Sequence, residues 1–304
     1  MKGWRRVLYH CQIDMETRLP AVVTVSSLQD SLERLDEIAG LFRDQGLLVL
    51  KGHKFTPVEQ LTIVAHLGDI FNWNICTDAV STEPSEETAE AFLFYAGHSD
   101  NPDRSVASAD EYALGWHIEQ VFYINSVLAG TWNMVHFDAP PKAGRTYFAD
   151  STEVYELLSE RDKVFLSKVV VEWDKPIGPK TGFGPFYTRA VASHPISGRP
   201  TLRLETDGGC IITPNLYKFD GEDPTDKQLA KYKRLYDWLR FELVENEGLR
   251  YVQDWSEGDM VLVDLFRMYH AVTDGFTHNQ RIIRGAFLRT KEYNSDLYTS
   301  MDLL

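Results

Sequence analysis

Short apolar segments separated by turn residues dominate the chain from residue 115 onward, and they restrict it to a fold rich in β-strands. Pro140-Pro141 and Gly178-Pro179 are among the turn signals that interrupt these segments. Many short strands with few helices are typical of a β-sandwich or a jelly roll that carries its helices on the outside. We therefore predict an α+β, mainly β fold. The predicted strands cover residues 121–124, 131–137, 168–173, 201–204, 260–264 and 281–289.

Three helices are predicted beside these strands. Apolar residues recur at helical spacing over 28–42, and the pattern stops at Gly46, a natural C-cap. The continuous apolar run at 47–50 predicts a short buried strand directly afterwards. Pro57 lies in the first turn of a second helix, where proline is tolerated because its missing N–H has no helical partner. The third and longest helix has an apolar face over residues 229–243.

Composition and charge limit the classes of function. The chain has 304 residues, 43% of them hydrophobic and 25% charged, which is typical of a globular protein, and we expect one domain over 1–304. The net charge of −14 argues against nucleic acid as the main partner, because binding a phosphate backbone needs a basic face. Three unclustered cysteines favour a reducing compartment, and no apolar run is long enough for a signal core or a membrane span, so we expect a cytoplasmic protein. Residues 77–112 are polar without clear periodicity, which predicts a lid or a surface loop.

Two residues of one predicted strand, His117 and Glu119, have the spacing of metal ligands. Alternate strand residues project to the same face, so both side chains can reach one ion. With a second histidine they would form the two-histidine, one-carboxylate set of non-haem iron(II) oxygenases, which leaves positions open for cosubstrate and oxygen. His270 is the candidate, and we expect it at a strand end because it follows the predicted strand 260–264. Taken singly, His270 could instead be a hydrogen-bonded histidine of the core. His117 and Glu119 could be hydrogen-bonded polar residues of a half-buried strand.

An arginine follows the second histidine closely. Arg281 lies eleven residues after His270, and a guanidinium in that place could clamp a carboxylate with two parallel hydrogen bonds, as for 2-oxoglutarate. A surface ion pair is the alternative role for this arginine.

Further motifs follow in a fixed order along the chain. The segment Trp116-His117-Ile118-Glu119 precedes PKAGRTYFAD at 141–150, and GDMVLVDLFRMYH at 258–270 ends in the second histidine. Together with other segments, these motifs resemble the taurine dioxygenase superfamily of iron(II)- and 2-oxoglutarate-dependent oxygenases. They are most similar to its clavaminate synthase-like branch, which uses a His-x-Glu…His triad, and the resemblance spans nearly the whole chain. The other segments that carry it are 42–52, 61–70, 194–199 and 281–283.

The resemblance implies a double-stranded β-helix (jelly roll) with flanking helices, in which His117, Glu119 and His270 hold Fe(II). It also implies that Thr146 and Arg281 bind the distal carboxylate of the cosubstrate 2-oxoglutarate. O2 would take the remaining metal site, and succinate and CO2 would be released as a small-molecule substrate is hydroxylated, desaturated or cyclised. An amino acid or a natural-product intermediate of secondary metabolism is the expected substrate, with neither nucleic acid nor a membrane as partner.

Two departures from the superfamily pattern narrow the expected class of substrate and reaction. Glu119 replaces the usual Asp, and Glu occurs in relatives that oxidise amino acids or their derivatives. The presence of Glu119 also argues against a halogenase, in which a small residue at this position leaves a coordination site free for chloride. Sulfonate-oxidising relatives carry an arginine four residues beyond the clamp, where this chain has Gly285, and this argues against taurine. Strand alternation places the nearby Arg284 on the face opposite to Arg281.

Other classes of function remain open at this point. The chain could be a catalytically silent jelly-roll protein that binds a ligand and retains the triad. It could also be a metal-dependent enzyme of other chemistry on the same scaffold, such as a cofactor-free dioxygenase, in which case Arg281 would be dispensable. Substrate identity, reaction outcome and oligomeric state have no signal in the sequence.

Overall fold

The computed structural model describes residues 20–75, 93–96, 114–119, 127–173, 186–204, 215–273, 275–277 and 279–290. These residues form six α-helices and sixteen β-strands, together with a 3-10 helix at Glu247–Leu249. Helices α1 to α6 span Leu28–Glu33, Leu35–Gln45, Pro57–Phe71, Ser151–Glu156, Glu160–Leu166 and Asp226–Glu245. Strands β1 to β16 span Ala21–Thr24, Leu47–Lys51, Trp73–Ile75, Phe94–Ala96, Leu114–His117, Val127–Phe137, Thr146–Asp150, Val169–Trp173, Phe186–Arg189, Val191–Ser193, Pro200–Leu202, Asn215–Phe219, Tyr251–Gln253, Met260–Val263, Met268–Val272 and Arg281–Thr290.

Two of the sheets share a buried apolar cluster. The large sheet has seven strands in the order β1-β2-β14-β6-β16-β3, with β4 also paired to β16. The small sheet has four strands in the order β13-β7-β15-β5. Side chains of both sheets meet in what we call the inner cluster, so the sheets pack against each other there. Its members include Val49, Trp132, Val261 and Ile283 of the large sheet and Phe148 and Met268 of the small sheet.

Helices α1 to α3 cover the other face of the large sheet. In β2, Leu48 and Leu50 pack with Ile38 and Leu61 of these helices, whereas Leu47 and Val49 join the inner cluster. The strand is therefore covered on both faces, which explains its continuous apolar sequence. The remaining strands form a three-stranded sheet, β12-β8-β9, and the pair β10-β11.

Local signals predicted the helix ends. Gly46 is the C-cap of α2 in the left-handed conformation, with φ of 71°, and its N–H donates to the carbonyl of Phe42. Pro57 begins α3, and Thr56 and Glu59 form a reciprocal capping box around it. Both predictions are confirmed. The helical pattern of 28–42, however, divides into α1 and α2 at Arg34.

Two other expectations need correction, and two short helices were missed. His270 does not lie at a strand end, because the chain turns after 260–263 and His270 is the central residue of a further strand, β15. Leu229 was assigned to the apolar face of the long helix, but it is 41% exposed. The two short helices α4 and α5 were not predicted, since six and seven residues show too little of a helical period.

The expected lid or surface loop at 77–112 lies largely outside the described residues. Its described part, 93–96, contains β4, which pairs with β16 and so extends the large sheet. The predicted strand 121–124 also lies outside the described residues. None of the described helices is long and apolar enough to cross a membrane.

Candidate metal centre

The small sheet brings the two candidate histidines together. Strands β5 and β15 are antiparallel neighbours, and His117 and His270 are directly paired across them. Paired residues of antiparallel strands have Cβ atoms about 5 Å apart on one face of the sheet. The two imidazole rings accordingly lie with their centroids 4.0 Å apart. The strand register thus joins two residues that are distant in the sequence.

Glu119 completes a set of three donors. It lies two residues beyond His117, and its Oε2 is 3.7 Å from Nε2 of His270. One donor atom from each of the three residues lies within 4.8 Å of the others, the one such group found among the described residues. Atoms bound to one ion at about 2.1 Å lie roughly 3 to 4 Å apart, so small side-chain rotations would close the set around a metal. Two imidazoles and a carboxylate are donors that suit Fe(II), and the set fits such an ion.

Contacts with the two histidines favour the anionic form of Glu119. Its side chain is 26% exposed, whereas both histidine side chains are buried. Burial raises the pKa of Glu119, but the hydrogen bond with His270 and the charge of the neighbouring imidazoles lower it, and the resulting pKa lies below the usual value. The carboxylate is therefore ionised at neutral pH, as metal binding requires.

Aromatic side chains cover the inner side of the donor set. The ring of Trp132 meets His270 edge-on at 4.9 Å between centroids, and Phe148 lies 6.4 Å from the same imidazole. Nδ1 of His270 is buried and has no hydrogen-bond partner among the described residues. The partly exposed Glu119 lies on the more open side. The aromatic rings therefore shield the imidazole of His270 from water on the inner side.

Thr146 lies on the same face of the small sheet as His270. In the pairing of β7 with β15, Phe148 is opposite His270 and Thr146 is opposite Val272. Thr146 is therefore two pairs further along the ladder, about 7 Å along the strand from the level of His270. A five-carbon dicarboxylate can bridge that separation.

Arg281 reaches Thr146 from the first residue of β16. Its Nη2 donates to Thr146 Oγ1 at 2.9 Å, and its Nε donates to the carbonyl of Gly144 at 2.8 Å. Gly144 has φ of 67°, and a Cβ there would lie 2.9 Å from Cδ of Arg281. Only glycine therefore permits this turn and the close approach of the arginine. Thr146 and Arg281, chosen from sequence, are in direct contact.

The environment of Arg281 suits an anionic ligand. Its side chain is buried, and no carboxylate of the described residues forms an ion pair with it. The rings of Trp255 and Phe276 lie 6.0 and 5.6 Å from its guanidinium carbon. Burial lowers the pKa of Arg281 to about 10, so it remains a cation at neutral pH. A buried cation without a counterion is costly, and a bound carboxylate would remove that cost.

Positions 284 and 285 of β16 do not contribute a second cation to this pocket. Arg284 lies on the opposite face, as expected, and donates to Gln60 Oε1 at 2.7 Å and to the carbonyl of Phe55 at 2.6 Å. A Cβ on Gly285 would lie 2.1 Å from the ring of Phe94. The ring therefore occupies the space that any side chain at position 285 would need.

A buried ionic cluster supports the turn that leads into β15. Arg267 Nε lies 3.3 Å from Asp264, and its Nη1 lies 3.5 Å from Asp150, at the end of β7. His194 Nε2 lies 2.8 Å from Asp264, and its Nδ1 accepts the N–H of Ser197 at 3.1 Å. These contacts fix the tautomer of His194 and tie the turn to β7, the strand that carries Thr146. The cluster therefore holds His270 and Thr146 in a common framework.

Two residues around the centre had no signal in the sequence. Trp255 and Phe276 lie outside the strands in separate segments, and no motif marks either of them as part of a site. Their proximity to Arg281 depends on strand pairing over long distances, which composition and periodicity do not encode.

Comparison with known proteins adds a family and a fold. A family model described as "Taurine catabolism dioxygenase TauD, TfdA family" matches residues 15–287. A structure from Burkholderia xenovorans, provisionally described as an alpha-ketoglutarate-dependent taurine dioxygenase, is similar with a TM-score of 0.65 and 14% identity, covering 93% of this chain and 89% of that chain. A taurine dioxygenase from the same organism has a TM-score of 0.61 and 14% identity, covering 85% of this chain and 82% of that one.

AAD-2 in complex with Mn(II) and N-oxalylglycine has a TM-score of 0.60 and 18% identity, covering 90% of this chain and 95% of that chain. At these identities the structural similarities show a shared fold. The sequence matches no curated protein.

Proposed function

The chain belongs to the TauD, TfdA family of taurine catabolism dioxygenases, and from this premise we propose that His117, Glu119 and His270 bind its metal. As a member of that family, the protein is an iron(II)- and 2-oxoglutarate-dependent dioxygenase that uses O2. The observation that carries the metal assignment is the group of three donor atoms within 4.8 Å of one another. Two neutral imidazoles and one ionised carboxylate leave part of an octahedral site open for other ligands.

Arg281 and Thr146 are proposed to bind the distal carboxylate of 2-oxoglutarate. The support is a buried guanidinium in contact with a buried hydroxyl, two pairs along the ladder from His270. A charge-assisted pair with a carboxylate would satisfy the guanidinium, and the hydroxyl would add one further hydrogen bond. The keto acid end of the cosubstrate would then lie towards the histidines.

Bound Fe(II) supplies the oxidative chemistry, in which 2-oxoglutarate and O2 yield succinate and CO2 as the substrate is oxidised. The protein's own groups orient and shield the reactants. Arg281 fixes the cosubstrate at its far end, and the rings of Trp132 and Phe148 exclude water behind His270. Burial raises the pKa of Glu119, but its contacts with His270 and His117 together lower it by more, so Glu119 offers an anionic ligand at neutral pH.

The proposed substrate is a small molecule of the amino-acid or natural-product class, which is hydroxylated, desaturated or cyclised. Glu119 in the triad supports this class through the resemblance described above. At Gly285, where sulfonate-oxidising relatives carry an arginine, the ring of Phe94 fills the space, so this position supplies no cation for a sulfonate. We also propose a double-stranded β-helix (jelly roll) formed by the large and small sheets, a single domain over 1–304, and a cytoplasmic location.

Succinate release tests the proposed function. The purified protein is incubated in air with Fe(II), ascorbate and 2-oxoglutarate, and succinate is measured alone and with a panel of amino acids, their derivatives and taurine. Stimulation by a neutral or zwitterionic amino-acid derivative, and none by taurine, is the expected result. His270→Ala should abolish succinate release, whereas His136→Ala, at a 45% exposed side chain paired with Glu257, should not. Undiminished release from the His270→Ala protein would contradict the assignment.

A further inference from the structure

Two hydrogen-bond donors converge on the hydroxyl oxygen of Thr146. The indole Nε1–H of Trp255 donates to Thr146 Oγ1 at 2.9 Å, and Nη2 of Arg281 donates to the same oxygen at 2.9 Å. Thr146 is 1% exposed and Trp255 is 5% exposed, so both bonds are shielded from water. The indole of Trp255 and the guanidinium of Arg281 therefore act on Thr146 together.

The two bonds determine what the hydroxyl can still do. A threonine hydroxyl has two lone pairs that accept and one proton that donates. Both lone pairs are occupied here, which leaves only the proton for a further partner. No acceptor for that proton exists among the described residues. A buried donor without an acceptor is unfavourable, and an acceptor placed in the site by a ligand would remove that cost.

Trp255 is held firmly enough to enforce this arrangement. It lies two residues after Gln253, which is paired with Thr146 across β13 and β7. The carboxylate of Asp259 accepts from Gln253 Nε2 at 2.9 Å and from the N–H of Ser256 at 3.1 Å, on either side of Trp255. The indole ring also lies 6.0 Å from the guanidinium carbon of Arg281. Its position is thus fixed by backbone pairing, by a buried carboxylate and by its contact with the arginine.

We propose that Trp255 is a positioning residue, which keeps the Thr146 hydroxyl as a hydrogen-bond donor for the distal carboxylate of 2-oxoglutarate. Without the indole N–H, one lone pair of Thr146 becomes free and the hydroxyl gains rotational freedom. Binding the carboxylate then requires the hydroxyl to be ordered. This inference rests on the proposed function, because it assumes that Arg281 and Thr146 bind the cosubstrate.

Replacing Trp255 with Phe removes the N–H and keeps an aromatic ring. The chain offers a matched control, because Trp173 is buried and donates its Nε1–H to Thr188 Oγ1 at 2.8 Å in a separate apolar cluster. The Kd of 2-oxoglutarate is measured anaerobically on each Fe(II)-loaded protein by its charge-transfer absorbance. Trp255→Phe should raise this Kd about fivefold, and Trp173→Phe should change it by less than about twofold. Urea unfolding of both variants separates loss of stability from loss of binding.

A second ligand and a second variant complete the test. 2-Oxopentanoate lacks the distal carboxylate, so its Kd should be the same for wild type and Trp255→Phe. Thr146→Val should raise the Kd of 2-oxoglutarate at least as much as Trp255→Phe does. The double variant should bind 2-oxoglutarate no more weakly than Thr146→Val alone. An unchanged Kd in Trp255→Phe, additive effects in the double variant, or an unchanged Kd in Thr146→Val would each overturn the inference. Because Thr146→Val tests the hydroxyl directly, the inference stays refutable even if Trp255→Phe does not fold.

The two proposals fail in different ways. If wild-type protein with Fe(II) does not bind 2-oxoglutarate, the proposed function fails. If wild type binds it and Trp255→Phe binds it equally well, only the role of Trp255 fails.

Discussion

Replacing Gly46 with Ala should destabilise the protein, because the added methyl group would collide with the buried guanidinium of Arg267. Gly46 ends α2 with φ of 71°, and a Cβ there would lie 2.3 Å from Nη2 and 2.7 Å from Cζ of Arg267. Arg267 is 2% exposed and is held by Asp264 and Asp150. The guanidinium therefore cannot move aside without weakening the ionic cluster beneath β15.

Two terms contribute to the loss in the free energy of unfolding that we expect for Gly46→Ala. The left-handed backbone conformation costs alanine about 1 kcal/mol relative to glycine. Overpacking against an immobile neighbour costs about 2 kcal/mol more, in the middle of the usual range. We expect Gly46→Ala to lower the free energy of unfolding by about 3 kcal/mol, which for a chain of this length lowers Tm by about 5 °C.

Gly221 provides the control for the backbone term. It has φ of 84°, and a Cβ there would have no neighbour within 4 Å. Gly221→Ala should therefore cost only about 1 kcal/mol. Urea and thermal unfolding of the metal-free proteins measure both values. Equal destabilisation by the two substitutions would refute the argument, because it would mean that Arg267 yields without cost and does not brace the turn before His270.

Three further predictions concern the site. Arg281→Met should raise the Kd of 2-oxoglutarate by about a hundredfold, since loss of one partner of a buried charge pair costs about 3 kcal/mol; anaerobic titration measures it, and affinity close to wild type would contradict the clamp. Gly285→Ala and Phe94→Ala should be coupled by about 1 kcal/mol in a double-mutant cycle of urea unfolding, because removing the ring makes room for the new methyl group; additive effects would contradict the contact. Fe(II) affinity should fall as the pH is lowered, because protons compete with the metal for the imidazole nitrogens of His117 and His270. Metal titrations at a series of pH values test this, and affinity that stays constant down to about pH 5 would rule it out.

The ends of helices and the shared strand face of His117 and Glu119 could be predicted because their signals are local. Gly46 stops a helical pattern, Pro57 begins one, and the His117-x-Glu119 spacing follows from strand alternation. Each signal depends on a few neighbouring residues. His270 was assigned to the site but not to its strand, because the five residues of β15 are all apolar or aromatic apart from the histidine and show no alternation.

Contacts between distant segments could not be predicted in the same way. Trp255 and Thr146 are 109 residues apart, and their hydrogen bond follows from the register of β13 with β7. Phe94 lies in a segment expected to be a polar loop, yet its ring fills the space over Gly285. Such contacts depend on which strands pair and in which register, and a single sequence records neither.

The position of the metal is the most direct test of the central proposal. Crystals of the Fe(II)-loaded protein, grown anaerobically with N-oxalylglycine, can be measured on both sides of the iron absorption edge. One anomalous peak should lie about 2.1 Å from an imidazole nitrogen of His117, an oxygen of Glu119 and Nε2 of His270. An iron peak held by other residues, or no iron at these three in protein that releases succinate, would contradict the account.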